Sequence, residues 1–492
     1  MWPFSPRKIR DTWRLSDPLL RLSRHDVWTL RDALEGVFIL GATGSGKSSG
    51  SARTLAKMML LMQFGGLVLT AKADERGMWE SFAKATGRLN DLVIFRPNMA
   101  WGFNFLDHEL KRKGAGAGHT ENIVNLLSNV LEVSERNQQS GGGREDEGFW
   151  RRALRQLVRN LVDLLVLSTG SVSVPDLHGM LMSAPHSQDE MRSQTWRENS
   201  FCFQCLKASD ARPKTSQQEH DFAVCADYFL IEYPNLSEKT RSVIVATFTS
   251  LVDVLNRGVL RELFCTETNL TPEAADEGKI IVVDMPVKEY GELGLISQAL
   301  LKYAFQRTIE RRVVSDKTRP VFLWADEAQN FVTSYDMQYQ TTCRSARAAT
   351  VYITQNVSNF YAALGGGEKG RAEADSLFAN LNTKIFHANG DPVTNEWAAS
   401  LIGRTRQCFM NSNHGRADAD WIAALAGLSQ TGNTSAGMSE SYEFEVQPAR
   451  FSQLRTGGPQ NKWKVEGLLF QNGRVFRETG RTWLPLTFNQ RG

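Results

Sequence analysis

Between residues 36 and 107 the chain alternates short apolar runs with longer stretches whose apolar residues recur at helical spacing. The runs are Val37–Leu40, Leu67–Thr70 and Leu92–Phe95, and the stretches between them are Ser51–Met62 and Met78–Thr86. Short, nearly continuous apolar runs are typical of strands that are buried on both faces. The pattern therefore predicts a parallel sheet covered by helices, which is the α/β class.

The same alternation returns in the second half of the chain. Its segments are a strand at Lys279–Asp284, a helix at Leu295–Arg312, a strand at Val321–Ala325, a helix at Met337–Ala346, and strands at Thr350–Thr354 and Thr383–Ala388. From Thr120 to about Leu260 the pattern is mostly helical. We therefore predict one α/β domain formed by residues 36–111 and 272–492. An all-α domain at residues 112–271 interrupts it, and a basic segment at residues 1–35 precedes it.

The predicted α/β domain ends in a tail of different composition. Leu428–Ser439 is rich in serine, glycine and threonine, which predicts a loop. Two later runs, Trp463–Phe470 and Arg474–Arg481, predict strands of a β-rich tail.

The overall composition is that of an ordinary globular protein, with 41% hydrophobic residues, 23% charged residues and a net charge of +3. A chain of 492 residues is too long for a single core. It contains no run of 18 apolar residues and no recognisable secretory signal. We therefore expect an intracellular, cytoplasmic protein.

Basic residues are concentrated in two places. Residues 1–31 carry seven Lys and Arg side chains against three Asp, and Arg151, Arg155 and Arg159 follow one another at helical spacing opposite an apolar face. Such rows are most often solvated surfaces. The alternative for both groups is contact with nucleic acid, and residues 1–31 could instead contact anionic lipid.

Six cysteines in this length do not form a disulfide framework. Cys202, Cys205, His220 and Cys225 have a spacing compatible with zinc. However, His220 and Cys225 lie five residues apart in a helical stretch, which places them poorly for one metal ion. Buried or surface thiols are the favoured interpretation.

The segment Gly41-Ala-Thr-Gly-Ser-Gly-Lys47-Ser48 fits the P-loop pattern and lies between a predicted strand and a predicted helix. Its glycines allow backbone N–H groups to surround phosphates at a helix N-terminus. Lys47 is expected to reach the β- and γ-phosphates, and Ser48 to bind Mg²⁺. The candidate nucleotide-binding residues are Gly41, Thr43, Gly44, Ser45, Gly46, Lys47, Ser48 and Ser49.

A second candidate site follows the apolar run Val321–Ala325, where Asp326 and Glu327 stand side by side. Such a pair is common by chance, but the P-loop upstream favours a catalytic interpretation. Asp326 would complete the magnesium site, and Glu327 would polarise the water that attacks the phosphate.

Taken together, these motifs resemble the coupling ATPases of type IV secretion and bacterial conjugation, the TraG/TraD group within the FtsK/HerA-like translocases. The resemblance begins at Gly36 and rests on motifs in the family's order. These are the P-loop, Leu67–Lys72, Asn104-Phe-Leu, Phe149-Trp150 with the helices after it, Asp326-Glu327, the segment Cys343–Gln355, Leu401-Ile-Gly403 and Gln447–Leu454. It implies a RecA-like P-loop domain with an inserted all-α domain, and it implies ATP and Mg²⁺ as cofactors.

The resemblance also implies roles for two downstream residues. Arg344 would be an arginine finger that completes the site of a neighbouring subunit, with Arg347 as the competing finger, and Gln355 would sense the γ-phosphate. The plainer alternatives are a helix-surface charge for Arg344 and a strand-end hydrogen bond for Gln355. A finger supplied by a neighbour couples hydrolysis to assembly, and the family forms six-subunit rings.

The chain departs from the family in two respects. The position usually held by Asp before Lys72 is Thr70, so the acidic contribution of that strand is lost. Family members usually begin with transmembrane helices, whereas this sequence has about 36 residues before its first predicted strand, and none can span a bilayer. Trp2, Phe4, Trp13 and the basic residues of this segment could form a membrane-surface segment, and the alternative is an amphipathic arm that docks on neighbouring subunits.

The sequence thus predicts a ring-forming ATPase that moves DNA or a relaxase–DNA complex, with secretion-channel or membrane-anchor subunits as further partners. Its location would be cytoplasmic, with peripheral attachment to the inner membrane through such a partner. One alternative is a coupling ATPase that delivers protein effectors to a secretion channel. A second is a HerA-like motor acting in DNA processing. A third is a nucleotide-gated scaffold that binds ATP but barely hydrolyses it, against which the intact Lys47 and Glu327 argue.

Overall fold

Interleaved segments of the chain form two compact units in the computed structural model, which describes residues 11–114, 116–137, 144–415 and 433–491. The first unit consists of residues 1–39, 52–354 and 359–383. The second consists of residues 40–51, 355–358 and 384–492.

Helices and strands alternate along most of the described chain. The strands are β1 Pro18–Arg21, β2 Val27–Thr29, β3 Val37–Leu40, β4 Gly65–Leu69, β5 Leu92–Phe95, β6 Ile280–Val283, β7 Val321–Ala325, β8 Ala348–Thr354, β9 Thr383–Phe386, β10 Arg404–Gly415, β11 Asn433–Phe444, β12 Lys464–Gln471 and β13 Trp483–Asn489. The helices of the first unit are α1 Leu30–Leu34, α2 Arg53–Leu61, α3 Asp74–Ala85, α4 Phe105–Lys111, α5 Thr120–Asn137, α6 Arg144–Thr169, α7 Val174–Met182, α8 Gln188–Arg192, α9 Gln194–Asn199, α10 Phe201–Ala211, α11 Ser216–Asp227, α12 Tyr233–Asn235, α13 Glu238–Leu255, α14 Gly258–Phe264, α15 Val287–Tyr290, α16 Glu292–Glu310 and α17 Ser334–Thr342. They are followed by α18 Val357–Ala363, α19 Gly367–Asn380, α20 Pro392–Ile402 and α21 Pro448–Ser452.

A parallel sheet organises the first unit. Among the described residues its strands follow the order β3-β8-β7-β4-β6-β5, and the pairs β7–β8, β4–β7, β4–β6 and β5–β6 are parallel. Every residue of β4, β6, β7 and β8 is buried, because helices cover the sheet. The α/β class predicted from the apolar runs is confirmed. Leu69 pairs with Ala325, so the residues that follow β4 and β7 meet at one edge of the sheet.

Between β5 and β6 the described residues form the helices α4 to α14 and their connecting turns, and no strand. The predicted all-α insertion is therefore present in the fold. Its boundaries at residues 112 and 271 stay a prediction, because these helices and the sheet belong to one compact unit. No single helix among the described residues is long and apolar enough to cross a membrane, although two pairs of helices, bent by 108° and 79°, pass that test together.

Two arginines of the α6 row, Arg155 and Arg159, face an acid on the neighbouring helix α5. Arg155 donates a hydrogen bond to one oxygen of Glu121, and Arg159 Nη2 lies 2.8 Å from the other. All three side chains are partly exposed. Arg155 and Arg159 therefore lie on a solvated surface with internal pairing, whereas the side chain of Arg151 lies outside what the structure describes. Contact of this row with DNA stays a prediction.

Of the three N-terminal aromatic residues singled out from the sequence, the structure describes Trp13. Trp2 and Phe4 lie outside the described residues. Trp13 is buried, and its indole N–H donates to the carbonyl oxygen of Met62 at 3.0 Å. Its ring also lies beneath the guanidinium of Arg319, 5.2 Å from the ring centre. Trp13 is therefore a core residue of the first unit, and the expectation that it lies on a membrane or on a neighbouring subunit is wrong.

The second unit contains strands β9, β12 and β13 in that order and a separate ribbon of β10 and β11. The ribbon is antiparallel and pairs Arg404 with Phe444 and Gly415 with Asn433. The prediction of a loop over Leu428–Ser439 is therefore wrong from residue 433 onward, while residues 428–432 lie outside the described residues. The polar composition of β11 gave no strand signal. The strand pairs with β10 through its backbone, and residues 438–444, whose side chains the structure describes, are not buried.

The first strand predicted for the tail is confirmed, and the second is wrong. The prediction Trp463–Phe470 corresponds to β12. Residues 474–481 form no strand, because residues 477–480 are a turn closed by an isolated antiparallel bridge between Phe476 and Arg481, and the partner strand β13 begins at Trp483. Gly473 and Gly480 adopt positive φ angles of 72° and 68°, which interrupt an extended chain. Pro485 marks β13 as an edge strand, and it lies at the end of the strand order.

The four residues with zinc-compatible spacing do not converge. Cys202, Cys205 and Cys225 are buried, whereas His220 is exposed. Burial raises the pKa of the Cys225 thiol to about 12, so the protonated thiol is favoured. Among the described residues, no group of three or more His, Cys, Asp or Glu is arranged to hold a metal ion.

A buried ion pair joins α16 to α17 behind the sheet. Lys302 Nζ lies 2.5 Å from Asp336 Oδ2, and both side chains are at most 2% exposed. The same carboxylate accepts hydrogen bonds from the Tyr352 hydroxyl and the Gln306 amide, each at 2.8 Å. Burial acts against the charged carboxylate, but Lys302 and these donors hold the pKa of Asp336 below its usual value.

Replacing Lys302 with methionine should lower the free energy of unfolding by about 3–5 kcal/mol, because the Asp336 carboxylate stays buried without its counter-ion. Chemical denaturation of the variant beside the wild type measures the loss. Lys317→Met, at an exposed lysine, is the matched control and should change the free energy of unfolding by less than about 0.5 kcal/mol. Equal losses in the two variants would contradict this account of the pair.

Candidate functional site

The P-loop has the strand–loop–helix context that its sequence predicts. Residues 41–47 follow β3, Ser48–Ala52 form a π-helical turn, and α2 begins at Arg53. Gly44 and Gly46 adopt φ angles of 75° and 86°, which residues with a side chain rarely adopt. A Cβ atom at Gly46 would also lie 2.5 Å from Val465. The loop conformation therefore depends on these glycines.

The Lys47 side chain is buried within the loop. Its ammonium group donates to the carbonyl oxygen of Gly41 and to that of Ala42 at 3.1 Å. Ser45 Oγ, which is also buried, has no hydrogen-bond partner among the described residues. A buried cation and an unpaired hydroxyl beside glycine amides suit an anionic oxygen-rich ligand such as a phosphate chain.

The other predicted loop residues differ in exposure. Thr43 is exposed, whereas Ser48 and Ser49 are half-buried. Ser49 Oγ accepts a hydrogen bond from the Gln490 side-chain amide at 2.7 Å. All of the predicted nucleotide-binding residues from Gly41 to Ser49 lie in the second unit.

A buried histidine that the sequence analysis did not single out lies beside the P-loop turn. His387 Nε2 is 2.7 Å from Ser51 Oγ, and Nδ1 is 2.7 Å from the carbonyl oxygen of Glu466. A carbonyl only accepts, so Nδ1 carries the proton and Nε2 accepts from Ser51. Burial, and secondarily the charge of Lys47, lowers the pKa of His387 to about 4.

Acid should destabilise the protein through His387. Its pKa in the folded protein, about 4, lies below its ordinary value of 6.5. The stability gained from the neutral ring is therefore fully present above pH 6.5 and is lost as the pH falls towards 4. Linkage gives a loss of about 3 kcal/mol.

Unfolding free energies measured between pH 7 and pH 4 test this expectation. The pH dependence should be shallower for His387→Asn than for the wild type, and unchanged for His186→Asn, a variant of an exposed histidine. Equal slopes in all three proteins would show that His387 does not carry the effect.

The acidic pair lies in the first unit, at the carboxyl end of β7. Asp326 and Glu327 are buried, and the backbone N–H of Glu327 donates to Asp326 Oδ1 at 2.9 Å. Glu327 has a φ angle of 48°, a left-handed conformation that is uncommon for a residue with a side chain. Such strained residues concentrate at functional sites.

Two side chains hold the Glu327 carboxylate from opposite oxygens. Lys72 Nζ lies 2.9 Å from Oε1, and the Gln329 amide donates to Oε2 at 3.0 Å. Gln329 is itself held by the Thr354 hydroxyl, which donates to its Oε1 at 2.9 Å. The orientation of Glu327 is therefore fixed by residues from β4's loop, from its own turn and from β8.

Thr70 has a structural role in the first unit. Its hydroxyl donates to the carbonyl oxygen of Val283 at 2.6 Å, and its N–H donates to Gln298 at 2.6 Å. It thereby joins the ends of β4 and β6, so threonine at this position fixes the sheet edge from which Lys72 extends.

A third carboxyl group, from Glu75, lies near the acidic pair and was not identified from the sequence. It is buried and accepts from the backbone N–H groups of Ala71 and Lys72 at 3.2 and 3.0 Å. Burial, and then the charge of Asp326, raises the pKa of Glu75 well above its usual value. An isolated glutamate three residues before the helix predicted at Met78–Thr86 offers no sequence signal that distinguishes it from a surface acid.

The two arginines proposed as fingers have different environments. Arg344 is exposed, with 63% of its side chain accessible, and its Nη1 lies 3.3 Å from Glu35 Oε1. Arg347 is buried, donates to the carbonyl oxygen of Trp13 and lies 2.7 Å from Asp316. Arg347 therefore serves the core of the first unit, which leaves Arg344 as the accessible candidate.

Gln355 directly follows β8 and belongs to the second unit, where its carbonyl oxygen accepts from the Asn389 amide at 2.9 Å. Its expected role as a γ-phosphate sensor stays a prediction. The structure brings Glu327 together with Lys72 in the first unit and the loop residues together in the second. The magnesium pairing of Ser48 with Asp326 is also untested.

Part of the chain matches a known protein family. Residues 320–443 match the family model described as the TraM recognition site of TraD and TraG. This segment includes the acidic pair and both candidate arginines. None of the curated protein sequences matches the chain.

Several solved structures share the fold of nearly the whole chain. The bacterial conjugative coupling protein TrwBdeltaN70, in its unbound monoclinic form, is 15% identical, with 99% of this chain and 91% of that chain covered and a TM-score of 0.56. TrwB with the non-hydrolysable ATP analogue ADPNP is 16% identical, with 99% and 92% covered and a TM-score of 0.53. TrwB with ADP and Mg²⁺ is 15% identical, with 99% and 92% covered and a TM-score of 0.51. The predicted resemblance to coupling proteins, with a P-loop domain and an inserted all-α region, is confirmed.

Proposed function

We propose that this relative of the conjugative coupling proteins hydrolyses ATP and uses the energy to move DNA through a ring of its subunits. The observation that carries the proposal is the Glu327 carboxylate, buried in a left-handed turn and held by Lys72 and Gln329. A carboxylate fixed in this way is suited to polarise a water molecule. The chain also contains a P-loop with a buried lysine, which is suited to bind phosphates.

In this proposal ATP is bound with Mg²⁺. The glycine amides, Lys47 and the unpaired Ser45 hydroxyl bind the phosphate chain, while Ser48 and Asp326 are ligands of the metal ion. Bound Mg²⁺ neutralises charge that develops on the phosphate oxygens. The presence of ADPNP in one TrwB structure and of ADP with Mg²⁺ in another supports this assignment.

Each remaining site residue has one task. Glu327 polarises the attacking water, and Lys72 and Gln329 hold its carboxylate in one orientation. Arg344 acts on the nucleotide of a neighbouring subunit, which its exposed position permits. Gln355 responds to the γ-phosphate. Because the finger comes from a neighbour, turnover requires assembly into a ring, most simply a hexamer as in related proteins.

The partners proposed for this motor are those of a coupling protein. DNA, alone or with a relaxase, is the substrate, and the matched segment, described as a TraM recognition site in TraD and TraG, supports a link to a DNA-processing complex. Attachment to secretion-channel or membrane-anchor subunits would place the ring at the cytoplasmic face of the inner membrane.

Steady-state ATP turnover, with and without single- and double-stranded DNA, tests the proposal. We expect DNA to raise turnover, and the stimulation to weaken with added salt because it depends on contacts to phosphates. Lys47→Ala should abolish turnover and controls for contaminating ATPases. A rate of ATP turnover that DNA does not change at low salt would contradict a DNA motor and favour delivery of protein effectors.

A further inference from the structure

Within the second unit, the P-loop turn is held by three side chains from distant parts of the sequence. Val465 of β12 lies against Gly46 and Gly50. A Cβ atom would lie 2.5 Å from Val465 if it were added to Gly46, and 3.3 Å from it if it were added to Gly50. Gln490 donates to the Ser49 hydroxyl at 2.7 Å. His387 accepts from the Ser51 hydroxyl at 2.7 Å. We call Val465, Gln490 and His387 the loop brace.

The Gln490 amide is fixed in the orientation that this contact needs. Its Oε1 accepts from the N–H of Gly458 at 2.8 Å, so its Nε2 is the group presented to Ser49. The backbone N–H of Gln490 donates to the carbonyl oxygen of Trp463 at 2.9 Å. A side chain at Gly457 would lie 2.4 Å from the same amide. The surroundings of Gln490 therefore select one amide orientation and one donor.

His387 is fixed in a similar way from its other nitrogen. Nδ1 donates to the carbonyl oxygen of Glu466 on β12, and the ring is fully enclosed beside Phe488 of β13. The tautomer set by Glu466 leaves Nε2 as an acceptor aimed at Ser51. Both hydroxyl contacts of the turn thus depend on the β12–β13 hairpin.

These contacts fall on the turn that carries the predicted phosphate and metal ligands. Ser49 and Ser51 immediately follow Lys47 and Ser48, and residues 48–52 adopt a π-helical turn rather than a regular α-helical one. Single π-helical turns are rare and occur frequently at functional sites. Anchoring two hydroxyls of one turn limits how far its N–H groups can shift.

We propose that the loop brace positions the P-loop for nucleotide binding, with Gln490 and His387 as positioning residues that act through Ser49 and Ser51. This inference rests on the proposed nucleotide site and assigns the β12–β13 hairpin a role in it. Loss of the Gln490 or the His387 side chain weakens the binding of ATP without removing a group that touches it.

A double-mutant cycle measures this role directly. The proteins are the wild type, Ser49→Ala, Gln490→Met and the double variant, with affinity for a fluorescent ATP analogue as the readout. Each single variant should bind about fivefold more weakly, the change expected for one hydrogen bond. The double variant should bind no more weakly than either single variant, because both remove the same contact.

A second pair, Ser51→Ala and His387→Asn, repeats the test at the other contact. In both pairs the KM for ATP should rise while kcat at saturating ATP stays unchanged. Gln453→Met, at an exposed glutamine of the same unit, is the matched control and should bind as the wild type does. Thermal unfolding of every variant separates weakened binding from loss of folded protein.

The outcomes distinguish the brace from the proposed function. A wild-type protein that fails to bind the analogue would overturn the proposed nucleotide site itself. Normal binding by the wild type with unchanged affinity in all four single variants would overturn the brace alone. Additive losses in the double variant would show that Ser49 and Gln490 act independently, which also contradicts it.

Discussion

Replacing Glu327 with glutamine should lower ATP turnover about 10²–10⁴-fold while leaving ATP binding intact. Glutamine keeps the size of the side chain but cannot accept a proton from water. The backbone turn and the contact with the Gln329 amide can persist in the variant. The substitution should therefore lower the rate of hydrolysis and leave the stability of the fold unchanged. Turnover under saturating ATP, together with equilibrium ATP binding, measures the two effects separately.

Glu289→Gln provides the matched control for this experiment, because Glu289 is an exposed acid of the same unit. It should retain wild-type turnover. If Glu327→Gln were as active as this control, the catalytic base would have been misassigned. Glu75, the buried carboxyl near Asp326, would then be the next residue to replace.

Replacing Arg344 with alanine should lower turnover about 10³–10⁵-fold, the effect of removing an arginine finger in related phosphoryl-transfer enzymes. The large effect follows from the charge that spreads over the transferred phosphoryl group. In the folded chain Arg344 contacts Glu35 at 3.3 Å and is otherwise accessible, so little stability is at stake. Turnover and thermal unfolding of the same preparation measure both quantities.

Arg371→Ala is the control for that substitution, because Arg371 is equally exposed and lies 3.9 Å from an acid, Asp375. It should leave turnover unchanged. Equal rates of ATP turnover in the two variants would show that Arg344 is a surface charge and not an arginine finger. Mixing Arg344→Ala with Lys47→Ala subunits should restore some turnover, since each supplies at an interface what the other lacks.

The sequence predicted those parts of the fold that depend on continuous patterns. The apolar runs of β3, β4 and β7 are buried in the sheet, and the glycines at 44 and 46 occupy the conformations that only glycine adopts readily. The P-loop and the acidic pair could be recognised from the sequence because each is a short polar motif that directly follows an apolar run.

Contacts between residues far apart in sequence could not be predicted in this way. His387 and Ser51 are 336 positions apart, and Gln490 and Ser49 are 441 apart. None of these residues belongs to a motif with a fixed spacing. The polar segment of β11 was missed for a related reason, since its pairing with β10 joins two distant stretches of backbone.

The choice between Arg344 and Arg347 also needed the structure. Arg344 lies within the helix predicted at Met337–Ala346, Arg347 directly follows it, and the two side chains have identical chemistry. Only the folded chain shows that Arg347 has a φ angle of 55° and lies buried against Trp13 and Asp316. Burial, which the local sequence does not encode, decides which of the two can reach another subunit.

Displacement of a triplex-forming oligonucleotide from duplex DNA tests the central claim most directly. A motor that moves along DNA removes the third strand as it passes, and a protein that only hydrolyses ATP does not. We predict that displacement requires hydrolysable ATP and is lost in Glu327→Gln and Arg344→Ala but retained in Glu289→Gln and Arg371→Ala. Robust ATP turnover with no displacement by the wild-type protein would contradict the account.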